Sequence, residues 1–186
     1  HATIDFVSGV SWPKFSARQG LVLRNGASYS YGAGVEMHFY NDAFLSVESG
    51  STFRSTDLRC NPTSRVRVDD AAVSIGSFLP TFSGGSGAMR LEVAGANPCF
   101  SCSSASAGGG PVSVLFDPPR DPSAWVEAPV RSTGGFATGS FVWTVNLPVR
   151  KAVKLSRTGR RRDIPLVYAA SGITTNNIVF GTNPFS

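Results

Sequence analysis

The sequence predicts an all-β chain wound as a right-handed parallel β-helix, a solenoid of stacked coils closed by an irregular C-terminal cap. Two observations predict it: a composition suited to short strands and turns, and a unit that recurs every 21 to 25 residues. Among its 186 residues, 41% are hydrophobic and only 16% charged, against about 25% charged in an ordinary domain. Gly (20) and Pro (12), with many Ser and Thr, fill the difference. Long helices need periodic runs of Ala, Leu, Glu, Lys and Arg, and the chain contains none.

The repeat is read by setting segments side by side. Leu21-Val22-Leu23-Arg24-Asn25-Gly26-Ala27, Leu45-Ser46-Val47-Glu48-Ser49-Gly50-Ser51, Val66-Arg67-Val68-Asp69-Asp70-Ala71-Ala72 and Leu91-Glu92-Val93-Ala94-Gly95-Ala96-Asn97 all run apolar-x-apolar-x-x-small-small. Val112-Ser113-Val114-Leu115-Phe116-Asp117 is a fifth copy, and the spacings are 24, 21, 25 and 21 residues. Side chains alternate faces along a strand, so apolar-x-apolar sends two residues inward. The small residues then allow a corner. A second short strand follows (Tyr29-Ser30-Tyr31, Thr52-Phe53-Arg54, Val73-Ser74-Ile75), and a third apolar segment closes most coils (Val35 to Phe39, Leu58-Arg59-Cys60). Each coil is thus expected to hold three strands and three corners, with strands of successive coils pairing in parallel over a continuous core.

The alternative is an antiparallel β-sandwich or jelly roll, which also uses short alternating strands. A hairpin fold favours Asn-Gly or Asp-Gly turns, and Asn25-Gly26 is the only such dipeptide. The pattern decays at Asp117-Pro118-Pro119-Arg120-Asp121-Pro122, where proline removes ladder donors. The chain therefore divides into an N-terminal cap or partial coil (1–19), β-helix coils (20–116), and irregular coils with a β cap (117–186). Terminal coils of a solenoid must differ from the rest, because an open end exposes core and strand edges.

The repeated unit resembles the low-complexity β-helix of autotransporter-like passenger proteins and related bacterial surface proteins, over about residues 20–116. The stretch Arg162 to Ile173 is similar to the closing segment that follows such coils. The resemblance implies export and an extracellular or cell-surface location, and it brings no functional residues to transfer. The chain opens at His1 rather than Met, which fits a removed leader or a tag remnant, so His1 carries no argument.

Chemistry is sparse. Three cysteines, Cys60, Cys99 and Cys102, leave at least one unpaired. Cys99-x-x-Cys102 has the spacing of a redox pair or half a zinc site, but it lacks a strand-to-helix context and a second ligand pair. A local disulfide, or cysteines acting as small apolar residues, is expected instead. His38 shares a strand face with Glu36 and reads as an exposed strand residue. Asp69-Asp70 aligns with Glu48-Ser49 at a corner; adjacent aspartates serve some β-helix hydrolases, but no companion segment is present. No Gly-x-Ser-x-Gly elbow, phosphate loop or His-Glu-x-x-His motif occurs. Neither catalytic nor metal-binding residues are assigned, and no cofactor is expected.

The formal net charge of +5 is concentrated partly in Arg157, Arg160, Arg161 and Arg162, a run suited to an anionic ligand such as an acidic glycan or protein surface. The arginines of Ser64-Arg65-Val66-Arg67-Val68 alternate with apolar residues and read as the outer face of a strand. Nucleic acid is not the expected partner, because clustered cations with interleaved aromatics are lacking. No apolar run approaches the roughly 18–20 residues that span a bilayer. The expected function is a non-enzymatic extracellular structural or adhesive domain that self-assembles into oligomers or fibres, or binds glycans. The alternatives are a β-helix polysaccharide-degrading enzyme using Asp69 or Asp70, and a jelly-roll subunit of a capsid, fibre or filament.

Overall fold

The computed structural model describes residues 3–6, 13–31, 36–82, 86–106, 110–119, 125–137, 141–145, 165–171 and 178–180. In chain order the strands are β1 (Thr3–Phe6), β2 (Lys14–Phe15), β3 (Gly20–Leu23), β4 (Ser28–Tyr31), β5 (Glu36–Phe39), β6 (Phe44–Glu48), β7 (Thr52–Cys60), β8 (Arg65–Asp69), β9 (Ala72–Pro80), β10 (Met89–Ala94), β11 (Cys99–Ser106), β12 (Val112–Asp117), β13 (Val130–Ser132), β14 (Phe136–Ala137), β15 (Phe141–Val145), β16 (Val167–Ala169) and β17 (Ile178–Phe180). Among the described residues there are no helices, and therefore none long and apolar enough to cross a membrane.

The strands form two sheets. The first runs β1-β4-β7-β9-β11-β13-β16, with β5 beside β7, β2 beside β5 and β14 beside β11; the second runs β17-β15-β12-β10-β8-β6-β3. The chain alternates between the sheets, so each strand pairs with its counterpart one coil away. Among the described residues every strand pairing is parallel. This is a β-solenoid, and the parallel ladders overturn the sandwich and jelly-roll alternative, which requires antiparallel hairpins.

Two details of the coil differ from the sequence reading. In the second sheet Gly20 stands opposite Phe44, Phe44 opposite Arg65, Arg65 opposite Arg90, and Met89 opposite Val112, giving coils of 24, 21, 25 and 23 residues. The fifth copy therefore aligns Leu91 with Val114, not with Val112. A shift of two residues preserves the face of every side chain, which is why the pattern tolerated it. In addition, the second and third strands are separate as β4 and β5, and again as β13 and β14, which both pair with β11. In β7 and β9 they fuse into single nine-residue strands with a bend.

The bend is visible in burial. In β7, Phe53 and Ser55 are buried, then Leu58 and Cys60; in β9, Val73 and Ile75, then Phe78 and Pro80. The inward phase slips by one residue at Thr56-Asp57 and at Gly76-Ser77. The strands above and below thus turn a corner without leaving the ladder. Among the described bends glycine alternates with a larger residue: Gly76 lies over Thr56, and Gly134 over Ser103. A Cβ on Gly76 would lie 2.5 Å from the Thr56 carbonyl oxygen, and one on Gly134 would lie 2.6 Å from that of Ser103.

The core is a bundle of columns, one inward residue per coil. Leu45, Val66, Leu91 and Val114 form one, and Leu23, Val47, Val68, Val93 and Phe116 the next. From the first sheet come Tyr29, Phe53, Val73, Phe100 and Val130, and Met37, Leu58, Phe78, Ala105 and Phe136. Each fully buried apolar side chain contributes about 1.5–3 kcal/mol. Strands about 4.8 Å apart let aromatic rings of successive coils stack: Phe15 lies on Phe39 at 4.7 Å and 5°, and Tyr29 on Phe53 at 5.3 Å and 6°.

Corners after the second-sheet strands also stack. Asn25, Ser49, Asp70 and Gly95 hold φ of 58, 52, 49 and 87°, left-handed values that Gly, Asn and Asp tolerate best. At Gly95 the requirement is double, because an added Cβ would also stand 2.6 Å from the Asp70 Oδ1. That oxygen accepts the amide hydrogens of Ala96 and of Asn97, the latter at 2.9 Å. Asp70 therefore clamps the corner of the next coil.

Candidate functional site

Among the described residues, four of the six ion pairs lie on the outer face of the second sheet. Alternation sends Phe44, Ser46 and Glu48 outward from β6, Arg65, Arg67 and Asp69 from β8, and Arg90 and Glu92 from β10. The parallel register stacks them in columns: Gly20, Phe44, Arg65, Arg90; then Val22, Ser46, Arg67, Glu92; and Glu48 on Asp69.

Glu92 is the anchor of this face. It is 7% exposed although it points outward, because arginines cover it. Arg65 donates to its Oε2 at 2.5 Å, and Arg67 and Arg90 approach at 3.6 Å. Arg67 also donates to Asp69 at 2.6 Å, and this hydrogen bond, with the neighbouring carboxylates, pushes its pKa up. Ser46 donates to Glu48. The arginine side chains keep 46% (Arg65), 36% (Arg67) and 59% (Arg90) exposure, so each offers nitrogens to solvent beside its ion pair.

Beside this row lies an open groove of about 590 Å³, within the range of ligand sites. Val22, Asp42, Phe44, Glu48, Arg65 and Arg67 are among its walls. Phe44 is laid over Gly20: a Cβ at residue 20 would stand 2.6 and 2.7 Å from the two δ carbons of the ring. The ring therefore lies along the sheet instead of standing off it.

A second cluster occupies the rim where β5 and β7 meet the return turn. His38 Nε2 lies 2.8 Å from the Asn61 Oδ1, with its ring stacked on Tyr40 at 4.2 Å and edge-on to Phe82 at 5.7 Å. The Arg59 guanidinium lies 4.2 Å over the Phe82 ring and donates to Glu36. His38 and Glu36 share a face, as the sequence indicates, but the Glu36 carboxylate serves Arg59, and His38 is half-buried among aromatics. This cluster ties the return turn to the strands.

The cysteines fall on opposite sides of the wall. Cys60 and Cys102 are buried and Cys99 is half-exposed, and all three are free. Three residues along a strand reverses the face, so Cys99 and Cys102 cannot meet, which removes the local disulfide. Burial pushes the Cys60 thiol up to about 12, against a lowering hydrogen bond with Ser64, and the Cys102 thiol up to about 11, against one with Ser132. These two are core residues. Cys99 lines a shallow groove of about 470 Å³ with Trp125, Glu127 and Arg131.

Asp69 and Asp70 take different tasks: Asp69 pairs with Arg67 on the outer face, and Asp70 holds the corner amides. The run Arg157, Arg160, Arg161 and Arg162 lies outside the described residues. Among the described residues no group of three or more His, Cys, Asp or Glu is placed to hold a metal ion. The sequence located Arg65 and Arg67 on an outer face but missed Phe44 and Glu92. The signal for Phe44 was present, since the repeat sets Gly20 against it. The chain matches no protein-family model, no curated protein and no solved structure.

Proposed function

We propose that this chain is a non-enzymatic, extracellular structural and adhesive β-solenoid segment that holds a glycan or partner surface on the outer face of its second sheet. The observation that carries the reading is the row Arg65, Arg67 and Arg90 gathered on Glu92 beside an open groove. A wall whose coils are locked by parallel ladders presents such a row with little conformational freedom to lose on binding. The resemblance of the coil unit to bacterial passenger proteins supports the extracellular setting. The test is binding of the chain to immobilised neutral and acidic glycans, compared with Arg65→Ser/Arg67→Ser, alongside light scattering for self-assembly. Binding lost in the variant is expected. Equal retention of both proteins, with a monomer in solution, sinks the reading.

A second reading is favoured by one observation: Glu48 stands directly over Asp69 on this face, and paired carboxylates serve glycoside hydrolysis. Here Asp69 is held by Arg67 and Glu48 by Ser46. Release of reducing sugar, abolished in Glu48→Gln and Asp69→Asn, would establish the enzyme and displace the adhesive reading.

A further inference from the structure

We infer that the groove over β3, β6 and β8 is a subsite for a neutral, hydroxyl-rich sugar ring of an extended glycan, with Phe44 as its stacking platform. The inference rests on the reading of this face as a binding surface and names the ligand class. Three features carry it.

The first is the platform. An aromatic side chain on a strand usually stands away from the sheet or packs against a cross-strand neighbour. Phe44 instead lies over Gly20, the one position in its column without a side chain. Gly20 supports one side of the ring, and the residue is only half-buried at the groove wall. An aromatic face carries negative charge density, and the positively polarised C–H groups on one side of a pyranose are suited to lie on it.

The second is the balance of charge. Asp42, Glu48, Arg65 and Arg67 line the groove, two of each sign. An anionic ligand would meet Asp42 and Glu48, and a cationic one would meet the two arginines. A hydroxyl group donates and accepts at once, so a neutral polyol satisfies guanidinium donors and carboxylate acceptors on the same wall.

The third is preorganisation. Arg65 is held by Glu92, and Arg67 by Asp69 and Glu92, so both guanidiniums are fixed before a ligand arrives. Arg65 is the residue opposite Phe44 one coil on, about 4.8 Å along the solenoid axis. Arg65 and Arg67 line the same groove as Phe44, so a sugar chain seated on the ring shares that groove with two arginine side chains.

The test is titration calorimetry of the full chain with hexasaccharides of β-1,4-glucan, β-1,4-xylan and β-1,4-mannan, and with hexagalacturonate as the acidic probe. At least one neutral hexasaccharide is expected to bind, and Phe44→Ala to weaken it by about tenfold or more, whereas Phe44→Trp retains it. Arg67→Gln should weaken the same ligand. Should Phe44→Ala unfold, Arg65→Gln, on an exposed side chain, decides in its place. Binding of hexagalacturonate alone, unaffected by Phe44→Ala, overturns the inference and leaves the adhesive face standing. Neutral binding indifferent to Phe44, Arg65 and Arg67 also overturns it. So does binding of no probe, in which case the adhesive reading is still judged by its own glycan and assembly measurements.

Discussion

Replacing Gly76 by alanine adds one methyl group at the bend of β9, and the structure fixes what that methyl meets. It would stand 2.5 Å from the carbonyl oxygen of Thr56 in the coil below, about 1 Å inside normal contact. The obstacle is backbone, and that backbone belongs to a strand paired on both sides. Relief therefore requires opening the ladder between Ile75 and Ser77, where the bend already leaves the pairing thin. Overpacking of this kind costs about 1–3 kcal/mol. For a chain of this size that lowers Tm by about 2–4 °C per kcal/mol, so a fall of roughly 4–8 °C is expected for a 2 kcal/mol loss. The assay is urea and thermal unfolding followed by circular dichroism, with Gly50→Ala as comparison. Gly50 has open space around its Cβ position but φ of 73°, so its cost is conformational and nearer 1 kcal/mol. The sharper check is the pair Gly76→Ala/Thr56→Gly. Because the clash is with the carbonyl, removing the Thr56 side chain restores nothing. Full rescue in that double variant would show that side-chain packing, not the ladder, governs the bend.

Asp70→Ala removes the acceptor for two corner amides, and with water able to reach them the loss is about 1 kcal/mol, read as a lower urea midpoint at unchanged slope. Stability should also fall in alkali. The Cys60 thiol is raised from its ordinary 9.0 to about 12, so its contribution is complete below pH 9 and is lost as pH rises towards 12, by up to about 4 kcal/mol in the limit; Cys60→Ala should flatten that part of the profile. In native protein a thiol reagent such as DTNB should label Cys99 quickly and reach Cys60 and Cys102 only on unfolding, and equal rates at the three would contradict their burial. Glu92→Gln, which leaves three arginines facing one neutral amide, should cost about 1–3 kcal/mol, and the loss should shrink in high salt as their repulsion is screened.

The solenoid was legible because its grammar is local. Apolar-x-apolar needs only the alternation of a strand, and the small residues after it need only the steric cost of left-handed backbone. These two rules placed Leu45, Val47, Val66, Val68, Leu91 and Val93 in the core. The bend in β7 was not legible, because its inward positions are Phe53, Ser55, Leu58 and Cys60. A serine among them hides the alternation; Ser55 is buried but donates to the Asp57 carbonyl at 2.9 Å, and a sequence pattern does not see that bond. Glu92 misleads in the opposite sense, since it is a charged residue whose burial comes from arginines two coils wide. The position of Phe44 on the outside contradicts its hydrophobicity, and only its pairing with a glycine explains it. The separation of Cys99 from Cys102, by contrast, follows from alternation alone once β11 is recognised as a strand.

The corners explain why a site can persist on such a scaffold. Between Glu48 and Thr52 the corner has three residues, between Asp69 and Ala72 two, and between Ala94 and Cys99 four. Yet the ladders on either side resume in register each time, with Glu48 opposite Asp69 and Thr52 opposite Ala72. Insertions are absorbed where the chain turns and do not propagate along the sheets. The spacing of Phe44 and Arg65 is thus set by hydrogen-bonded strands about 4.8 Å apart, and that of Arg65 and Arg67 by the rise along β8, about 6.6 Å for two residues, and not by the packing of their own side chains. Substitutions in the groove should alter binding while sparing the fold, and a single methyl at Gly76, far from the groove in function but inside the ladder, should do the reverse.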